Sequence, residues 1–168
     1  ISLNSSAKIT DAMLAVWARI LQQQPDARLI IVVKERSIDT AQANMQPRVE
    51  AVDMPLDRVS VMHQQPLDRF MEFGHIADVM LDTAPISGGT TTLHALWMGL
   101  PIVTLDAERA VDASSARILQ ATGFGYEVAA NEEEYVQKAL QLMNDTAYLT
   151  QRRQIARPQM LASDYMNY

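Results

Sequence analysis

The sequence contains no cysteine. That excludes a disulfide framework, a thiolate zinc site and a cysteine nucleophile, and it fits a cytoplasmic location. Positive charge is scarce as well: 14 Lys and Arg stand against 20 Asp and Glu, for a formal net charge of -6 with no basic run. Such a chain has no electrostatic footprint for nucleic acid or for an anionic membrane surface. No apolar run approaches the roughly 20 residues that cross a bilayer, and no basic stretch leading into an apolar one marks a secretion signal. Nucleic acid and membrane are therefore set aside as partners. The three histidines lie far apart, and without metal-ligand spacing or a third ligand nearby no bound metal is expected.

What is present is a composition of 48% apolar and 20% charged residues over 168 positions, the balance of one soluble globular domain. The chain starts at Ile1 rather than methionine, and its last helical pattern stops soon after Tyr165. It reads as a single domain, 1–168, trimmed at both ends from a longer protein.

Hydrophobic periodicity organises the domain. Met13, Val16, Trp17, Ile20 and Leu21 recur at helical spacing between Lys8 and Gln24. Thr10 is the expected N-cap, Ile9 and Leu14 form a hydrophobic staple, and Pro25 stops the helix. Leu29 to Val33 is a continuous β-branched run that predicts a strand covered on both faces. Ile38 to Val52 is a weaker helix with Pro47 as a break point, Arg58 to Met62 a second buried strand, Pro66 to Phe73 a helix and Ala77 to Leu81 a strand. Thr90 to Met98 follows as a helix and Pro101 to Leu105 as a strand. Helices are expected from Ala110 to Thr122, Glu132 to Met143 and Ala147 to Leu161. Ile1 to Leu3 is too short to count as a strand. Strands alternating with helices predict right-handed βαβ units, hence an α/β, Rossmann-like parallel sheet flanked by helices.

Ligands of such sheets bind beyond the carboxyl ends of the strands. Two loops there carry the candidate chemistry. One runs Asp82-Thr83-Ala84-Pro85-Ile86-Ser87-Gly88-Gly89-Thr90-Thr91-Thr92 into a helix. Its glycines allow close backbone approach, while the helix start offers unpaired amides and the positive dipole end to an anion, with three threonine hydroxyls alongside. It is neither a Walker A loop nor a GxGxxG fingerprint, and a simple capped turn would read the same way. The other loop, Asn4-Ser5-Ser6-Ala7-Lys8, ends in a lysine that either neutralises a diphosphate or is a solvated surface residue. The acidic run Glu132 to Glu134 supports a helix start, and the ten methionines fit core packing.

Taken in order, several segments resemble the C-terminal catalytic region of the O-GlcNAc transferase/SPINDLY family of GT-B glycosyltransferases. They are Leu3-Asn4-Ser5-Ser6-Ala7-Lys8-Ile9, Met54-Pro55-Leu56-Asp57-Arg58-Val59, Gly74-His75-Ile76-Ala77-Asp78-Val79, Asp82-Thr83 with Gly89-Thr90-Thr91, and Ala95 through Thr104. Asn131 to Tyr135 and Met160 to Ser163 extend the likeness, so it covers nearly the whole chain. The resemblance implies the C-terminal half of a GT-B fold in a parent enzyme that moves GlcNAc or a similar sugar from a nucleoside diphosphate to a protein hydroxyl. UDP is preferred over GDP as the nucleotide, and no other cofactor is implied. By the same resemblance Lys8 is the catalytic residue at the diphosphate. Asn4, Ser5, Gly88, Gly89, Thr90, Thr91 and Thr92 surround the donor, and Gln65 and His94 face its nucleoside. The chain departs from an animal-type member at Gly89 (His there), His94 (an acidic ribose contact), Leu67 (Lys), Phe70 and Phe73 (polar), and Ala113 (Arg).

A missing N-terminal domain of the same parent would then complete the cleft, and the 168 residues alone would be inactive. Two alternatives stay open: another GT-B-like enzyme, such as a sugar-nucleotide epimerase or a glycan or lipid transferase, and a non-catalytic structural or interaction module.

Overall fold

The computed structural model describes residues 1–107, 109 and 112–166. Helices and parallel strands alternate along them: α1 (Asp11–Gln23), β1 (Leu29–Val32), α2 (Ile38–Ala51), β2 (Val59–Met62), α3 (Leu67–Ile76), β3 (Met80–Leu81), α4 (Thr90–Met98), β4 (Ile102–Leu105), α5 (Ser114–Ala121), β5 (Val128–Ala129), α6 (Glu132–Asn144) and α7 (Thr146–Ala162). The helix expected from Ala110 opens on residues 110 and 111, outside the described ones, and α5 is its described part.

β1 pairs with β2, β3 with β4, and β4 with β5, all parallel. Residues 1–3, set aside in the sequence as too short for a strand, join the two groups. Ser2 bridges Ile31: its N–H donates to Ile30 O at 2.8 Å and its carbonyl accepts from Val32 N at 2.9 Å. On the other side Leu81 N donates to Ile1 O at 2.7 Å and the Ile1 amine to Val79 O at 2.8 Å. The order is therefore β2, β1, residues 1–3, β3, β4, β5, the doubly wound arrangement. Its direction reverses between residues 1–3 and β3, the switch point where such sheets take their ligands.

The alternation of side chains along each strand explains the unbroken apolar runs. Leu29, Ile31 and Val33, with Leu81 and Val103, pack under α1, α2 and α6. Their neighbours Val32, Met80 and Ile102 point the other way, into the layer made by α3, α4, α5 and α7. Both faces are covered, so strand positions of either parity are apolar. β2 departs from this: only partly buried, with Ser60 exposed, it is an edge strand rather than the buried strand expected. α2 also differs, running through Pro47 unbroken. Ala41, Met45 and Val49, one turn apart on its buried face, hold it to the core across the exposed proline. β5, two residues long, has no counterpart among the strands expected from the sequence.

Local signals behave as their chemistry dictates. Thr10 caps α1, accepting from Met13 N at 3.2 Å, and Ile9 and Leu14 share the core below it. α4 ends at Gly99 with φ 76, where an added Cβ would lie 2.7 Å from Arg153 Cα. Glycine there supplies the left-handed turn and lets α7 approach.

Candidate functional site

Asn4 and Asp82 are the first residues beyond the two strands that flank the switch point. The loop from Asp82 to Gly89 then delivers the chain to α4. Gly89 caps that helix without any side-chain hydrogen bond, and the first backbone bond it closes is Leu93 N to Gly89 O at 3.1 Å. The amides of the opening turn are thus left for an external acceptor, at the positive end of the helix. Among the described residues, chain neighbours aside, no atom lies within 4 Å of a Cβ built on Gly89, so these residues leave the space in front of the turn open.

Lys8 ends a short 3-10 turn, Ser6–Lys8, and its Nζ donates to Ser87 O at 2.7 Å, two residues before Gly89. No carboxylate pairs with it among the described residues. An ammonium has three protons to give, so a single carbonyl leaves most of its capacity unspent. An unpaired cation beside an uncapped helix start is a site for an anion of more than one charge. Thr10 Oγ1, donating to Ala84 O at 3.2 Å, ties the two loops together a second time.

The expected ligand residues divide by what their polar atoms already do. Asn4 is buried; its Nδ2 donates to Asp82 Oδ1 at 2.8 Å and its Oδ1 accepts from the Thr91 hydroxyl at 3.3 Å. Thr92 is buried against Ser115, the two hydroxyls 2.6 Å apart, so its side chain faces inward. Ser115 in turn donates to Gly88 O at 3.1 Å, and its amide donates to Ser87 Oγ at 3.2 Å. Gly88 donates its N–H to Asp82 Oδ1 at 2.9 Å, and a Cβ there would meet Thr92 Oγ1 at 2.7 Å. Gly88 is a packing glycine of the loop. Thr90 is exposed and Ser5 half-buried at the mouth.

Gln65 and His94 sit around α3 rather than beside Lys8. Gln65 Nε2 donates to His63 O at 3.0 Å just ahead of α3. The His94 ring lies 5.5 Å from that of Phe70 on α3, which packs edge-on to Phe73. Leu67 is exposed at the same helix start, His75 is exposed at its far end, and His63 Nδ1 is buried without a partner among the described residues. Ala113 is buried at the start of α5. No group of three or more His, Asp or Glu that could hold a metal is found among the described residues, and no helix there is long and apolar enough to cross a membrane.

Sequence reading passed over the residues behind the site. Thr104 Oγ1 donates to Asp82 Oδ2 at 2.8 Å, and the Tyr135 hydroxyl donates to Asp82 O at 2.8 Å while accepting from Trp17 Nε1 at 3.3 Å. Burial, with the Asp82 carboxylate adding to it, holds the Tyr135 phenol well above its usual range, so it stays a donor. Thr104, a polar residue inside the otherwise apolar β4, was the available hint. A separate concavity of about 420 Å³ opens at the other end of the strands, where Trp17, Leu21, Ile76 and Met143 line it; Lys8 and the α4 start are not part of it.

The family model described as glycosyl transferase family 41 matches residues 1–167. The chain belongs to glycosyl transferase family 41. An Arabidopsis thaliana protein named "probable UDP-N-acetylglucosamine–peptide N-acetylglucosaminyltransferase SPINDLY" is 35% identical over 170 residues, which cover 99% of this chain and 18% of that protein. The chain thus spans less than a fifth of the length of this and other SPINDLY-named curated relatives it matches. A solved structure of the Thermobaculum terrenum O-GlcNAc transferase, a K341M mutant, superposes with a TM-score of 0.86 at 29% identity, over 96% of this chain and 31% of that one. The S. aureus TarM structure, a G117R mutant with Fondaparinux, alpha-GlcNAc-glycerol and UDP, has a TM-score of 0.72 at 13% identity, over 96% and 32%; at that identity it shows shared fold alone. The α/β, GT-B-type fold and the family expected from the sequence are borne out.

Proposed function

We propose that this chain is the donor-binding half of a cytoplasmic glycosyltransferase that moves N-acetylglucosamine or a related sugar from UDP to a protein hydroxyl. The observation that carries the reading is the unpaired Lys8 ammonium beside the uncapped start of α4 at the switch point. In sugar transfer the acceptor oxygen bonds to the anomeric carbon as the bond from that carbon to the diphosphate breaks, and negative charge grows on the departing nucleoside diphosphate. Lys8 and the amides from Gly89 to Thr92 would stabilise that charge without rearrangement, lowering the barrier. Ser5 and the Thr90 hydroxyl would touch the phosphates, and Gln65 and His94 the nucleoside. The acceptor, its base and the other wall of the cleft belong to the rest of the parent protein, because relatives of this family are several times longer. Names of the relatives support UDP over GDP and a peptide acceptor.

Titration of the full-length protein with UDP and GDP tests the binding half of this proposal; saturation by neither would end it. For the chemistry, Lys8→Ala is expected to lower turnover about a hundredfold, the equivalent of roughly 3 kcal/mol of transition-state stabilisation. Its melting temperature should barely move, because Lys8 ends a short surface turn and its side chain makes one hydrogen bond among the described residues. Near-wild-type turnover of that variant at saturating donor would remove Lys8 from the mechanism.

A further inference from the structure

Asp82 is fully buried directly beneath the proposed diphosphate site, and no cation pairs with it among the described residues. A lone buried carboxylate is costly and its charge opposes a bound diphosphate, so packing alone is a poor reason for it. Its partners supply a better one. Gly88 N and Asn4 Nδ2 both donate to Oδ1, at 2.9 and 2.8 Å, and Thr104 Oγ1 donates to Oδ2 at 2.8 Å. These donors come from the loop entering α4, from the loop after residues 1–3, and from β4.

An ionised carboxylate can only accept. Asn4 must therefore turn its amide nitrogen to Asp82 and its oxygen to Thr91, whose hydroxyl is held at 3.3 Å. Gly88 must turn its N–H inward, which removes that amide from the donors open to a ligand and fixes the peptide from which the free turn of α4 begins. One carboxylate thus sets both the backbone direction at Gly88 and, through Asn4, the position of Thr91.

We propose that Asp82 is a positioning residue for the donor: acting through Gly88 and Asn4, it places the first turn of α4 against the diphosphate without touching it. This rests on the reading of the site as a nucleoside diphosphate site. Its signature is a loss confined to the phosphate end of the ligand. In the full-length protein, Asp82→Ala and Asn4→Ala are each expected to weaken UDP binding about tenfold or more while uridine binding stays within about threefold of wild type. Asp82→Asn retains all three bonds, because the Thr104 hydroxyl can reverse and accept from the new amide; UDP binding should return to within about threefold of wild type.

The experiment is a calorimetric titration with UDP and a ligand-detected NMR titration with uridine, on variants whose thermal transitions show them folded. Wild-type UDP affinity in folded Asp82→Ala overturns the proposal, as does parallel loss of UDP and uridine. Should Asp82→Ala fail to fold, Asn4→Ala cuts a single arm of the network, and an unchanged UDP affinity there overturns it equally. Failure of the underlying site looks different: the wild-type protein itself would bind UDP no more tightly than uridine, and both readings would fall together.

Discussion

Two buried carboxylates mark opposite ends of the sheet. Glu127, just ahead of β5, is closed in by charge: Arg152 Nε reaches Oε1 at 2.7 Å and Nη2 reaches Oε2 at 3.2 Å. The Tyr148 hydroxyl adds a bond at 2.6 Å and Ile102 N another at 2.9 Å, with the guanidinium 3.6 Å above the Phe124 ring. Burial nevertheless pushes the Glu127 carboxyl up against the pull of Arg152, and lifts the Tyr148 phenol to about 12. Asp82, at the carboxyl end, meets only neutral donors among the described residues, while Lys8 in the neighbouring loop gives one of its three protons to a carbonyl. The difference separates holding from receiving. An ion pair that pins α7 to the sheet balances its own charge, even with Arg152 Nη1 buried without a partner among the described residues; a site that admits a charged ligand keeps its cation and its helix start unfilled.

The largest effect tests the closed end. Arg152→Met leaves Glu127 buried without its cation and should cost about 3–5 kcal/mol in urea unfolding, with UDP binding unchanged in the folded protein. The pH dependence has a definite sign. Burial already raises the folded Glu127 value, and losing Arg152 raises it further, so the folded state takes up the proton first. The deficit should shrink as pH falls through that raised value and be fully present above it. A loss of under about 1 kcal/mol would show the pair to be dispensable and erase the contrast.

A middle-sized effect is expected at the open end. Gly88→Ala drives a Cβ to 2.7 Å from Thr92 Oγ1 and 3.2 Å from Asp82 Oδ1, in a pocket whose hydroxyls are already engaged. Overpacking there should cost about 1–3 kcal/mol and weaken UDP binding as well. Loss of stability with full affinity would mean that the loop's packing and its ligand geometry are independent.

Glu35 carries the smallest. Burial acts to raise its carboxyl, but hydrogen bonds from Ser6 at 2.6 Å and Asn44 at 3.1 Å outweigh it and hold the group below its ordinary 4.5. A depressed value stabilises the fold above the unfolded value and loses that support as pH falls through the folded one. Glu35→Gln should therefore be slightly less stable at neutral pH, with the gap closing in thermal melts as pH falls through the lowered folded value. A gap that widens in acid would contradict the sign.

Much of this architecture was legible in the chain because it is written in local periodicity. The unbroken apolar run at Leu29 to Val33 announced a strand with helices on both sides, and Thr10, Pro25 and Gly89 bounded helices where backbone chemistry demands. Lys8 and the Gly-Thr loop drew notice by residue type alone. Residues 1–3 did not, because a strand that short is identified only by the neighbours that bond to it on both sides.

The sequence by itself determined the α/β class, the helix starts and stops, and which loops carry groups suited to an anion, since each depends on residues a few positions apart. The tertiary structure alone decided which of those groups are free. Asp82 gathers Thr104, Tyr135 and Asn4 from 22, 53 and 78 residues away, and Thr92 turns its hydroxyl to a serine 23 residues on. Donors meet acceptors over such separations only through strand order and register, and no local pattern records the match of a carboxylate to the amide that must face it.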